Sequence, residues 1–193
     1  MYTINQTYTE TIEIKKSEFI ATLIPVNSIG EVEDALKQIR KKYYDATHNC
    51  YGYILGNDAK VFKFSDDGEP SQTAGIVIYN VLSKNYLTNV LCVVTRYFGG
   101  IKLGAGGLVR AYTNATSEVV NASTKQEIIE YGLLSFSFDY PYTNQVLKLL
   151  GSEKKVSQDY QTFVSLTYSI PIDKIPAYKE QLISITNGSV KIH

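Results

Sequence analysis

Between Val94 and Tyr112 the chain reads VTRYFGGIKLGAGGLVRAY, which places five glycines (Gly99, Gly100, Gly104, Gly106, Gly107) and three cations (Arg96, Lys102, Arg110) within 19 residues. An apolar, β-branched run from Val90 to Thr95 leads in, and a helix-like segment leads out. Strand, glycine loop and helix start together make an anion-gripping arrangement. Glycines bring backbone N–H groups close to a ligand. A helix start adds unpaired N–H donors and a partial positive charge. No acidic residue occurs from Pro70 to Ser117, although Lys84, Arg96, Lys102 and Arg110 all fall there. The nucleotide motifs themselves fail on specific residues. Ala105 stands where a Walker A loop needs lysine, and Val109 stands at the third glycine of a Rossmann fingerprint. A looser cradle survives, in competition with a purely architectural glycine segment whose arginines are solvated or paired.

A second cluster precedes the loop. Asp66, Asp67 and Glu69 lie in SDDGEPSQTAG. They suit a hard cation through oxygen ligands, ion pairs that position Arg96 or Arg110, or an ordinary Asp-Gly turn before Pro70. Asp66 and Asp67 are adjacent, which works against a paired-acid reading. His48, beside Asn49, is a candidate ligand contact with no identifiable acid or base partner, so a structural role competes. Neither a nucleophile elbow nor a zinc-protease helix is present, and no His–Cys cluster suits a transition metal. No catalytic residue, metal or cofactor is expected.

These groups need elements to hold them. Thr11 to Val26 reads as extended, with an irregularity near Lys15–Ser17. Ser28 caps a helix from Ile29 to Tyr44, acidic at its start and basic at its end. His48 to Leu55 and Lys60 to Phe64 form a hairpin around Gly56-Asn57-Asp58. Ala74 to Leu82 is read as a helix capped by Ser71 or Thr73. Thr88 to Arg96, apolar on both faces, is a central strand. Gly106 to Ala122 is a helix with Leu108, Ala111, Tyr112, Ala115, Val119 and Ala122 on one stripe. Beyond residue 125 the pattern changes. A strand from Gln126 to Phe138, a helix from Tyr142 to Leu150, strands Lys154 to Tyr160 and Phe163 to Ile170, a helix from Ile172 to Ile185 and a strand from Ser189 to Ile192 give βαββαβ, the ferredoxin-like pattern. The fold class is therefore α+β with two domains, 1–125 and 126–193.

Composition limits the function classes. The chain has 193 residues, 44% hydrophobic and 20% charged, with a formal net charge of zero. That describes a globular protein and excludes whole-surface attraction to nucleic acid or membrane, leaving only local patches. Cys50 and Cys92 read as buried apolar residues rather than a disulfide or metal pair. The N-terminal residues carry acids and no long apolar core, and no run reaches a membrane span, so a cytoplasmic location is expected. Sixteen tyrosines against no tryptophan favour half-buried strands, though tyrosine also stacks on bases.

KSEF at 16–19, ATHNCYGY at 46–53, DDGEPSQTAG at 66–75 and VVTRYFGGIKLGAGGLVRAY at 93–112 resemble the IMPACT/YigZ family. The resemblance implies a first domain similar to the fourth domain of elongation factor G, an α/β sandwich shared with GHMP kinases. It also implies a second, ferredoxin-like domain similar to another elongation-factor domain. Eukaryotic relatives act in translational control through an added N-terminal domain, so that protein partner is not carried over; in the bacterial branch nucleic-acid or ribosome binding is implied. The family positions matched are His48, Asp66, Asp67, Gly68, Glu69, Arg96, Gly99, Gly100, Gly104, Gly106, Gly107 and Arg110. Gln72 departs from a glycine expected there. The serine-rich phosphate loop of GHMP kinases is absent, and fold alone does not license kinase activity.

The leading expectation is a module that binds RNA or the ribosome, with a role in translation regulation. Arg96, Lys102 and Arg110 contact phosphates beside the glycine backbone, and contacts of that kind position without reading sequence. The competing expectations are an adaptor for a protein partner in translation control, with a purely architectural glycine segment, and an enzyme or small-molecule binder. In the latter His48, Asp66, Asp67 and Glu69 face the cradle that holds a metabolite's phosphate or carboxylate.

Overall fold

The computed structural model describes residues 1–193. It divides into two compact units, Met1–Ile128 and Ile129–His193. The change of unit falls past residue 125 because the strand expected from Gln126 to Phe138 is interrupted. Its first piece, β7 (Gln126–Glu127), pairs with β1 (Tyr2–Thr3) at the N-terminus. The remainder is β8 (Tyr131–Phe138).

In the first unit β2 (Tyr8–Ile14), β3 (Ser17–Pro25), β4 (His48–Leu55), β5 (Val61–Ser65) and β6 (Val90–Tyr97) form one antiparallel sheet in the order β2-β3-β6-β4-β5. β6 is its middle strand, and its apolar residues serve both faces. Cys92 and Val94 pack beneath α2 (Gly75–Lys84) and α3 (Ala105–Ala122), while Leu91 and Val93 meet α1 (Ile29–Lys42). That two-sided burial is why β6 reads as a continuous apolar run rather than an alternation.

Local chemistry sets the helix ends. The Glu31 amide donates to Ser28 Oγ at 3.2 Å, the N-cap bond of α1, and Glu31 Oε2 reaches back to accept the Asn27 amide, one residue before the cap, at 2.9 Å. Val32, Leu36 and Ile39 form its buried face. Neither Ser71 nor Thr73 caps α2. Asp66 does, from nine residues upstream, accepting the Ala74 and Gly75 amides at 3.0 and 2.8 Å on Oδ1. Thr73 instead donates to the Pro70 carbonyl at 2.6 Å. α3 buries Leu108, Ala111, Tyr112, Ala115 and Val119 as its stripe requires, with Thr116 and Val120 added and Ala122 left exposed. Each large apolar side chain fully buried on that stripe contributes roughly 1.5–3 kcal/mol.

The Ile14–Ser17 connection is a two-residue turn with Lys15 and Lys16 at φ +49° and +65°. Positive φ at both positions matches the twist of the flanking strands.

In the second unit β8, α4 (Thr143–Leu149), β9 (Lys154–Tyr160), β10 (Val164–Pro171), α5 (Ile175–Ile185) and β11 (Lys191–Ile192) follow in βαββαβ order. The antiparallel sheet runs β11-β8-β10-β9. Thus the last strand lies beside the first and the third beside the second, the ferredoxin-like arrangement. Leu134, Phe136, Phe138, Leu166, Tyr168 and Ile170 join Val146 and Leu182 in its core. No helix is long and apolar enough to cross a membrane.

Candidate functional site

The end of β6, the loop that follows it and the acidic loop before α2 converge on one cleft of about 380 Å³. Glu69, Arg96 and Lys102 are its charged side chains, and His48 lies beside them. Phe98, Leu103 and Leu108 supply apolar wall, and Lys102, Gly104 and Ala105 bring in the glycine loop and the start of α3.

The floor is built from the sheet. His48 opens β4 and pairs in register with Arg96 on β6. Arg96 is 5% exposed, and its Nη1 donates to Glu69 Oε1 at 2.7 Å. Its Nη2 reaches Ser17 Oγ at 3.4 Å, and its guanidinium lies 5.4 and 5.5 Å from the Phe19 and Phe98 ring centres. Nε is buried without a partner. Tyr112, from the buried stripe of α3, donates its hydroxyl to the same Glu69 Oε1 at 2.8 Å. Burial, then the neighbouring Cys50 and Glu69, raise the Tyr112 pKa, so it stays a donor. Glu69 is thus held by two donors on one oxygen. Its Oε2 faces His48 Nε2 at 3.8 Å, while His48 Nδ1 lies 2.8 Å from the Asp67 carbonyl.

The acids before Glu69 are committed to the backbone. Asp66 Oδ2 takes the Gln72 amide at 2.9 Å in addition to the two α2 amides on Oδ1. Asp67 Oδ2 takes the Asn49 amide at 2.7 Å, and its Oδ1 lies 3.5 Å from Arg40. Of the readings open for this cluster, ion pairing to Arg96 is realised through Glu69 and the turn through Asp66. No set of three His, Cys, Asp or Glu side chains converges to hold a metal. Cys50 lies beneath, with its thiol 3.0 Å from the Asp66 carbonyl and 3.3 Å from the Tyr112 hydroxyl. Burial pushes the Cys50 thiol up to about 12 and does the same to Cys92. Both cysteines are free and buried.

The glycines divide by role. Gly99 is a packing position: a Cβ there would overlap the Lys16 carbonyl in the β2–β3 turn, and its amide donates to Ser17 Oγ at 3.1 Å. Gly104 has φ +70° and ψ 165° and starts α3 with no side-chain cap. The first amide with a helical partner is that of Leu108, which donates to Gly104 O at 2.9 Å, so the amides of Ala105, Gly106 and Gly107 have none within the helix. No acidic side chain sits in that first turn, and nothing lies within 4 Å of a Cβ built on Gly104 or Gly106. Gly100 is exposed, and Gly107 faces Leu103.

The expected cations are therefore not equivalent. Lys102 is exposed at the cleft. Arg96 spends its charge on Glu69. Arg110 is exposed on α3 and is not among the cleft-lining residues. Thr47 was missed by sequence reasoning; its Oγ1 takes the Phe98 amide at 3.1 Å and so fixes the start of the glycine loop. Ser17 and Tyr112 were missed as site residues too. For Tyr112 a signal existed: a tyrosine on a buried stripe of Leu, Ala and Val needs a partner for its hydroxyl.

A family model described as the Impact N-terminal domain matches residues 15–120. The chain is 35% identical to IMPACT family member YvyE of Bacillus subtilis, over 99% of this chain and 89% of that one. It is 32% identical to IMPACT family member YigZ of Escherichia coli, over 93% of this chain and 90% of that one. A crystal structure titled as that of a hypothetical protein superposes with a TM-score of 0.66 at 31% identity, covering 99% of this chain and 95% of the other. The family-model match covers β3 to β6 of the sheet, the acidic loop, the glycine loop and α3 as far as residue 120, and the YvyE alignment extends through the second unit: the chain belongs to the IMPACT family.

Proposed function

We propose that the first unit is an RNA- or ribosome-binding module of the cytoplasm, acting in the regulation of translation, that grips a phosphate at the start of α3. The observation that carries this reading is the uncapped N-terminus of an 18-residue helix opening into a cleft beside Lys102, with no acid in its first turn. Aligned peptide dipoles and free amides favour an anion there. Because Glu69 neutralises Arg96, the amides and Lys102 carry the phosphate, and Arg110 adds attraction from outside the cleft. The test is RNA affinity as a function of salt. Log affinity should fall linearly with log salt, and Lys102→Ala with Arg110→Ala should reduce the slope by about 0.7 for each single-strand phosphate that is no longer neutralised. An unchanged slope removes the site.

A second reading has its own observation. The cleft is concave, and about 380 Å³ falls within the ~300–1,000 Å³ typical of small-molecule sites. In that reading the same anion position holds the phosphate or carboxylate of a metabolite. A melting-temperature screen with nucleotides and sugar phosphates separates the two, since a ligand bound only by the folded state raises its stability.

A further inference from the structure

We infer that the surface where α1 ends is a stacking platform for unpaired RNA: Tyr44 takes the face of a base, and Lys37 and Lys41 take neighbouring phosphates. This deepens the RNA-binding reading, on which it rests, by naming the state of the RNA as single-stranded.

Tyr44 is 85% exposed, more than any other large apolar side chain of the protein. It stands on a turn that is fixed on both sides. The Tyr43 amide donates to the Ile39 carbonyl at 2.9 Å, and the Ala46 amide donates to the Tyr43 carbonyl at 3.1 Å. Beyond it the Thr47 amide donates to the Arg96 carbonyl at 2.9 Å, and Asp45 accepts the Tyr97 hydroxyl at 2.8 Å. A ligand therefore meets a bare ring on a support that is already ordered. Lys37, Arg40 and Lys41 share one exposed face of α1, outside the buried Val32, Leu36 and Ile39. Of these cations only Arg40 has an ion-pair partner, Asp67 at 3.5 Å. Glu33 and Asp34 lie one turn before Lys37, and neither is within ion-pair distance of it. The helix dipole favours basic residues in the last turn, which accounts for Arg40 to Lys42. It does not account for an uncovered ring three residues after Lys41.

The platform adjoins the cleft. Arg40 holds the end of α1 to the acidic loop through Asp67, and the cleft-lining Thr47 and His48 follow Tyr44 by three and four residues. Three residues of chain span at most about 11 Å, so a strand held at the cleft reaches the ring within a few nucleotides. A partner suited to this surface carries a flat apolar face with negative charge beside it. An unpaired nucleotide within a strand has both. Stacking on a tyrosine tolerates any base, and lysines take backbone phosphates without reading sequence. A duplex keeps its base faces inside the stack and offers the ring nothing. An acidic peptide suits the lysines and leaves the ring uncovered.

The experiment measures binding of the full-length protein to a short oligoadenylate and to an RNA duplex of the same length by fluorescence anisotropy. Tyr44→Ala, checked for an unchanged melting profile, should weaken the single strand by about fivefold to 150-fold, the range for one lost base–aromatic stack. Its salt slope and its binding of the duplex should not change. Tyr44→Phe keeps the ring and should bind as the unaltered protein does. Lys37→Ala/Lys41→Ala should lower the single-strand salt slope by about 0.7 for each phosphate no longer neutralised. The chain has no tryptophan, so Tyr44→Trp adds a single indole, whose emission the oligoadenylate should quench. Full single-strand affinity in Tyr44→Ala, with the slope still lowered in Lys102→Ala/Arg110→Ala, overturns the platform and leaves phosphate gripping at α3 intact. Absence of RNA binding by the unaltered protein overturns both. Polyglutamate binding that depends on Tyr44, where RNA binding does not, gives the surface to an acidic protein partner and overturns the platform as well.

Discussion

The Glu69–Arg96 pair gives the sharpest test of how this unit is held together. Both side chains are almost fully buried, at 3% and 6% exposure, and lie 2.7 Å apart. Replacing Glu69 with Ala leaves a guanidinium inside the protein with only a 3.4 Å contact to Ser17 and two aromatic faces, and it frees the Tyr112 hydroxyl. Removing one partner of a buried pair costs about 3–5 kcal/mol, because the remaining charge has lost both water and its counter-ion. The readout is native-state hydrogen exchange at the β6 amides. There the loss corresponds to roughly a hundredfold to several-thousandfold faster exchange. The double variant Glu69→Leu/Arg96→Met should recover most of that loss, since apolar groups of similar volume tolerate the site. Raising salt should barely change the single-variant effect, because a buried pair is weakly screened. A loss below about 1 kcal/mol, the size of a surface pair, would falsify the claim that Glu69 is the buried counter-ion on which the cleft floor depends.

Asp66→Ala removes the acceptor for the Gln72, Ala74 and Gly75 amides and should lower stability by about 1–2 kcal/mol in urea unfolding, the size of a lost helix cap. Gln72 sits at φ +66°; Gln72→Gly should stabilise by about 0.5–1 kcal/mol, because relief of the left-handed backbone exceeds the entropy glycine adds to the unfolded chain, and a lower melting temperature contradicts this. The Cys50 and Cys92 thiols are pushed up to about 12 by burial, whereas unfolded thiols titrate near ~8.5. Their contribution to stability is therefore complete below that unfolded value and is lost as pH rises through it toward 12. Ellman's reagent at pH 8 should label neither thiol in the native protein and both in urea, and rapid native labelling would refute the burial.

The architecture was legible where pattern and geometry share a period. The two-sided apolar run of β6, the stripe of α3 and the βαββαβ order each bury what the sequence exposes as a repeat. The Gln126–Phe138 strand broke because local pattern does not reveal that Gln126–Glu127 pairs with Tyr2–Thr3, residues more than a hundred positions away. The α2 cap was misassigned for a similar reason. Ser71 and Thr73 are the local candidates, but Asp66 reaches the amides across the loop. At the site, residue types singled out the glycine loop and Glu69, which line one cleft, but not their pairing. Glycines and cations marked the loop, yet which arginine was free depended on Glu69 lying opposite Arg96. Gly99 reads like its neighbours in sequence, and only the position of the Lys16 carbonyl shows that it is there for close packing.

Asp66 begins a helix, Asp67 holds β4 and Glu69 neutralises β6, all within four residues of chain. The acidic side of the cleft is therefore as stiff as the sheet it is bolted to. An incoming molecule does not have to order it, and the entropy that a pliant loop would forfeit on capture is not subtracted from affinity. The same economy narrows what mutation can explore. Any change that reshapes the acidic wall also loosens a strand or a helix, so new ligand preferences should arise around Lys102, whose side chain is exposed at the cleft and bears no such duty.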